Sequence, residues 1–136
     1  MKTVLALFGL ALLLSCLAGA QCPVTAKIVA SDNFPEHGQK ITFTATATSP
    51  CGTPTGSFTF YLTERSLTNL GTKTAASGSA SVSKSLNPWR PYVTEYAYAI
   101  FHDSTGTFAD TTTYPSAPLY WDWDVNLCVD TWCCED

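Results

Sequence analysis

Residues 38–62, GQKITFTATATSPCGTPTGSFTFYL, constrain the fold of this chain more than any other stretch. Ile41, Phe43, Ala45 and Ala47 alternate with Thr42, Thr44, Thr46 and Thr48. Such alternation describes a strand with one apolar and one wet face, because successive side chains leave a pleated backbone on opposite sides. Threonine suits the wet face, since its branched Cβ fits a pleated surface. Ser49-Pro50-Cys51-Gly52-Thr53-Pro54-Thr55-Gly56 then stops the pattern with turn chemistry. Phe58, Phe60 and Leu62 begin a second inward row, with Ser57, Thr59 and Tyr61 facing out.

Similar segments recur along the chain. Val24, Ala26 and Ile28 form one face of a first strand, and Asn33 to Gly38 reads as a turn. An edge strand near residues 67–70 precedes Ala80 and Val82, which alternate with serines and lead to Leu86. Pro88 and Pro91 make a rigid corner, each fixing φ and withholding an amide donor. Over residues 92–101, Val93, Ala97, Ala99 and Phe101 fall on one face and Tyr92, Tyr96, Tyr98 and Ile100 on the other. Asp103-Ser104-Thr105-Gly106 turns the chain into a last strand over residues 107–113, anchored by Phe108. About seven short strands divided by turn signals predict an all-β chain, an antiparallel β-sandwich.

The chain opens with Met1-Lys2-Thr3, an apolar run from Val4 to Leu14 and a small Ala18-Gly19-Ala20 site. These are the parts of a cleaved signal peptide over residues 1–20, and the run is too short to span a bilayer. A second reading keeps Leu13-Leu14-Ser15-Cys16 as a lipoprotein signal, with the mature protein lipid-anchored through Cys16. Either reading predicts export, to the cell surface or the medium. The net charge is −4, and five of the eleven acids lie in the last 15 residues with no base beside them. Phosphate neutralisation needs a basic face, so nucleic acid is not an expected partner.

Cleavage after Ala20 leaves Cys22, Cys51, Cys128, Cys133 and Cys134. Export makes disulfides their default state, and an odd count leaves one thiol for a free, interchain or other bond, so a disulfide-linked dimer is open. The C-terminal segment over residues 114–136 needs pinning, which predicts bridges from its cysteines to Cys22 and Cys51. Adjacent Cys133 and Cys134 rarely bond each other, so one of them is the candidate odd thiol. No Cys-x-x-Cys pair occurs and His37 and His102 stand far from the cysteines, so neither a metal nor a cofactor is expected.

GQKITFTATA followed by GTPTGSFTFYL resembles the bacterial Ig-like repeat domains of exported and surface proteins. The later stretch YAYAIFHDSTGTFADTTT resembles their closing hairpin, so the resemblance covers about residues 24–113. It implies an Ig-like sandwich over residues 21–113 that acts as a structural, adhesion or protein-binding module. Three features depart from the pattern: a lone domain without internal repeat, Cys51 in the loop, and the tail from Ala117 to Asp136. The family pattern supplies no catalytic residue, and His102-Asp103-Ser104 are neighbours in sequence rather than a converging triad, so no enzyme is expected.

The Ig-like plan also implies that the strands carrying Phe58–Leu62 and Tyr92–Phe101 are neighbours, with Tyr61, Tyr96 and Tyr98 sharing one outer face. Three outcomes stay open: an exposed patch for a protein or glycan at the cell surface, a patch covered by the tail, or an inverted face that buries the tyrosines. In the tail, Tyr120-Trp121-Asp122-Trp123-Asp124-Val125 alternates like a further strand. Trp121 and Trp123 are candidate binding residues, or the strand is an addition stapled to the sandwich by disulfide. Asp122 and Asp124 lack the spacing of a calcium loop.

Overall fold

The computed structural model describes residues 19–63, 66–87 and 93–121. These form eight strands and no helix: β1 (Thr25–Ala30), β2 (Lys40–Thr48), β3 (Gly56–Thr63), β4 (Leu67–Thr74), β5 (Ser79–Ser85), β6 (Thr94–Asp103), β7 (Thr111–Thr112) and β8 (Ala117–Tyr120). A three-stranded sheet has the order β1-β2-β5; the second runs β4-β3-β6-β7, with β8 also pairing β6. Every pairing is antiparallel. The expected all-β sandwich is the observed architecture.

Its core is the meeting of the inward rows. Ile41, Phe43, Ala45 and Ala47 of β2 face Phe58, Phe60 and Leu62 of β3 and Ala97, Ala99 and Phe101 of β6, all buried. The Phe101 ring lies 5.3 Å from that of Phe58, at 57°. Each buried phenylalanine contributes about 1.5–3 kcal/mol relative to an exposed one. No helix was available to cover these rows, so each sheet covers the other.

Outside the smaller sheet the threonines do more than face water. Thr42 pairs its hydroxyl with that of Ser83 at 2.7 Å and Thr44 with Ser81 at 2.8 Å, and Thr46 stands 3.5 Å from Ser79. The register of β2 against β5 sets these pairs directly opposite. Cross-strand hydroxyl pairs of this kind contribute about 0.2–1 kcal/mol each.

The Gly52–Phe60 turn has a steric purpose at Gly56. Gly56 faces Asp103 in the β3–β6 register, and a Cβ built there would fall on the carbonyl oxygen of His102. Only glycine lets the two backbones come this close where β3 begins.

Three expectations need correction. Cys22 and Cys51 are bonded to each other across 29 residues, so neither is available to the tail. Their Cα atoms lie 6.2 Å apart, because Cys22 precedes β1 and Cys51 follows β2 and these strands pair antiparallel. The partners of Cys128, Cys133 and Cys134 lie outside the described residues.

Second, the last strand expected over residues 107–113 shortens to β7. Two carboxylates take the amides that a ladder would use: Phe108 N–H donates to Asp103 Oδ2 at 3.2 Å, and Asp103 N–H donates to Asp110 Oδ1 at 2.8 Å. Phe108 is still a buried anchor, held in an isolated parallel bridge to Cys22.

Third, the tail strand starts earlier than expected. Residues 117–120, of which only Tyr120 belonged to the expected tail strand, form β8 against residues 94–97 of β6. Pro118 is tolerated because β8 is an edge strand. Main-chain bonds, Tyr120 N–H to Asn33 O at 2.8 Å and Trp121 N–H to Val93 O at 3.1 Å, continue the attachment.

Candidate functional site

The outer face of the five-stranded sheet collects the side chains of interest. Alternation along β6 sends Glu95, Ala97, Ala99 and Phe101 inward and Tyr96, Tyr98 and Ile100 outward. The register puts Tyr61 of β3 opposite Tyr98 and Thr63 opposite Tyr96. On the far side of β6, Pro118 sits opposite Tyr96 and Tyr120 opposite Thr94. On the near side, Asn69 of β4 stands opposite Tyr61 and Leu67 opposite Thr63. The tyrosines are therefore not core. The strand neighbours and shared outer face expected from the sequence are present.

Tyr61 and Tyr98 stack with ring centroids 5.2 Å apart and planes 19° from parallel. Offset stacking is worth about 0.5–1.5 kcal/mol beyond the buried area, so the pair braces itself. Both rings are half-buried, while Tyr96 is 45 % exposed. A second stacked pair forms where β8 ends: Phe34 lies 5.3 Å from Tyr120 at 27°. Phe34 and Tyr120 are 68 % and 43 % exposed, and Leu67 is 59 % exposed. Sequence reading assigned Phe34 only to a turn. The signal that could have found it is an aromatic residue between Asn33 and Pro35, in a segment with no inward row to join.

Trp121 behaves differently from its expected role. It is 3 % exposed, and its indole N–H donates to Glu95 Oε2 at 3.0 Å. It anchors the end of β8 in the core rather than offering a ring to a ligand. Glu95, itself 2 % exposed, was passed over when the inward face of β6 was read, although strict alternation places it there. A buried carboxylate requires partners, and the indole is one of them. Trp123, Asp122 and Asp124 lie outside the described residues, as does Cys16 with most of residues 1–20.

At the opposite end of β6, His102 Nδ1 and Asp110 Oδ2 are 3.2 Å apart, with side chains 45 % and 60 % exposed. Hydrogen bonds from the Asp103 amide and the His102 ring lead the causes that hold the Asp110 carboxyl below the usual aspartate value. Desolvation pushes the Asp103 carboxyl up, but bonds from the Phe108 amide, the Thr105 hydroxyl and the Thr105 and Gly106 amides outweigh it and lower it. Ser104 donates its hydroxyl to the Thr55 carbonyl at 3.1 Å. The cluster ties a loop together. Among the described residues no group of three His, Cys, Asp or Glu side chains is placed to hold a metal.

No protein-family model, curated protein or solved structure matches this chain. What it can do is therefore argued from its own surface. Among the described residues, no helix is long and apolar enough to cross a membrane.

Proposed function

We propose that this is an exported, non-catalytic Ig-like module of the cell surface or medium that binds its partner through the outer face of the five-stranded sheet. One observation carries the reading. Of the six large apolar side chains exposed among the described residues, four (Phe34, Leu67, Tyr96 and Tyr120) gather on this face or at its β8 end, beside the Tyr61–Tyr98 stack. A contiguous aromatic patch left in water marks an interaction surface, because burying it on a partner recovers the cost of its exposure. The Cys22–Cys51 bridge is compatible with an oxidising compartment, and the N-terminal apolar run supplies a route to one.

A charge placed on this face tests the reading. Tyr96→Asp should abolish adhesion of cells or beads displaying the protein while leaving the fold intact. Thr44→Asp, on the hydroxyl face of the smaller sheet, should leave adhesion unchanged. Equal adhesion by both variants would remove the face from consideration. Export is checked separately, by the mass of the protein recovered outside the cell, expected to begin at Gln21.

A further inference from the structure

Beyond that reading, and on the other sheet, we infer that the outer edge of β5 is a self-complementary docking edge for a second copy of this chain, held shut by Lys84. The main chain supplies the first observation. Ala47 N–H donates to Gly78 O at 2.8 Å and Leu86 N–H donates to Gln39 O at 3.1 Å. Antiparallel pairs alternate between bonded and non-bonded, so residues 80, 82 and 84 bond to β2 between these two points. The amides and carbonyls of Ser81, Ser83 and Ser85 therefore point away from β2. Among the described residues no strand meets them there.

The other edges of the described fold are occupied or broken. β1 is met by residues 107–114, through Cys22 N–H to Thr107 O at 2.8 Å and Tyr114 N–H to Ala26 O at 3.1 Å. β8 carries Pro118, which has no amide to offer. β4 is interrupted between Asn69 and Gly71, where the register shifts and Asn69 Oδ1 takes the Gly71 N–H at 2.7 Å. β5 pairs with β2 in unbroken register over residues 79–85 and holds neither proline nor glycine. A regular edge of this kind is a template for another strand.

Its sequence, SASVSKS, suits that other strand being itself. Turned about Val82, two antiparallel copies set Ser81 opposite the second copy's Ser83, where both exchange outward main-chain bonds. Val82 meets its own counterpart on the inward side. On the outward side the hydroxyl pairs Thr44–Ser81, at 2.8 Å, and Thr42–Ser83, at 2.7 Å, run on into each other.

Lys84 opposes this pairing. It stands opposite Ile41, which is fully buried, so it belongs to the inward row of β5 and is half-buried at the rim of the core. It has an interaction of its own in that place. A lysine in the inward row of an edge strand keeps its ammonium wet only while the edge stays open. In registers that match the faces, Lys84 lies opposite Ala80, Val82 or a second Lys84. Each leaves an ammonium beneath the added strand, with no carboxylate on β5 to receive it.

Sedimentation velocity of the full chain over a concentration series tests this, with non-reducing gels to set aside disulfide-linked species. Parent and Lys84→Arg should sediment alike. Lys84→Val, which puts a strand-favouring apolar residue in the row, should self-associate about tenfold more tightly or more. Hydrogen exchange of that associated variant should be slowed at the amides of Ser81, Ser83 and Ser85, which exchange fast in the parent. Ser83→Pro removes an outward amide and spares the bonds to β2, so adding it to Lys84→Val should restore the parent's sedimentation with a similar thermal midpoint. Adding Tyr96→Asp instead should leave the association in place. Its loss there would assign the contact to the tyrosine face and overturn the inference, leaving that face's proposed role standing. Lys84→Val that sediments like the parent, or a parent already protected at Ser81 and Ser83, also overturns it.

Discussion

Removing the Cys22–Cys51 bridge as Cys22→Ser/Cys51→Ser tests the most consequential correction in the fold. The two cysteines are separated by 29 residues. In the chain-entropy account, closing a loop of that length restricts the unfolded chain enough to stabilise the fold by about 3.5 kcal/mol. The substitution itself adds little, because Cys51 is exposed and Cys22 half-buried, so the serine hydroxyls reach water. For a fold of about 100 residues, this converts to a fall in thermal midpoint of about 15–25 °C. Calorimetry of the oxidised parent and the double variant measures it. Peptide mapping of the non-reduced parent should recover Cys22 linked to Cys51. A loss below about 1 kcal/mol, or a peptide joining either cysteine to Cys128, Cys133 or Cys134, would refute the reasoning.

Gly56→Ala should cost about 3 kcal/mol or more, since its Cβ meets the His102 carbonyl and the β3–β6 pair must separate to admit it; urea unfolding reads the change. Glu95→Ala leaves the Trp121 indole N–H without its acceptor and should destabilise by about 1–3 kcal/mol, with Glu95→Gln, which keeps an acceptor, losing less. Acid should act through Asp103 and Asp110, whose carboxyls are held below the usual aspartate value. A depressed native pKa means that their stabilising effect is complete above the unfolded value and is lost as pH falls through the native one. The thermal midpoint should therefore respond to these two groups only below about pH 4, and Asp110→Asn should flatten that slope. A slope near pH 6–7 removed by Asp110→Asn would contradict this assignment.

Much of the sandwich was legible because it obeys one rule. Ile41 to Ala47, Phe58 to Leu62 and Ala97 to Phe101 alternate strictly, and a period of two decides which side of a pleat is buried. The same rule faced Tyr61 outward but left Tyr96 and Tyr98 open between an outer and an inverted face, which the pairing of β6 with β3 decides. What escaped was decided by contacts distant in sequence. Nothing in the local pattern at Cys22 tells that β1 returns it to within reach of Cys51. The Asp103 and Asp110 carboxylates shorten β7 through side-chain bonds that strand propensity does not register. Glu95 was assigned to neither face, and the indole that satisfies it inside lies 26 residues away. Phe34 and Tyr120 meet only because β8 folds back along β6.

The position of the disulfide has a mechanical consequence. Cys22 lies at the end of the sandwich shared with Phe108 and Cys51, whereas Trp121 leaves at the opposite end, beside Val93. A pull along the chain would therefore stretch the domain end to end. Tension entering at Cys22 crosses the sulfur bridge to Cys51, and β1 with its ladder to β2 lies inside the bypassed loop. Under oxidising conditions those two strands carry no load, and the force falls on the β6–β8 pairing in shear. Pulling on single molecules should show a contour-length gain from residues 22–51 only after reductant is added. A protein held at a surface by a flow-exposed partner would thus keep β1 and β2 paired while the larger sheet bears the strain.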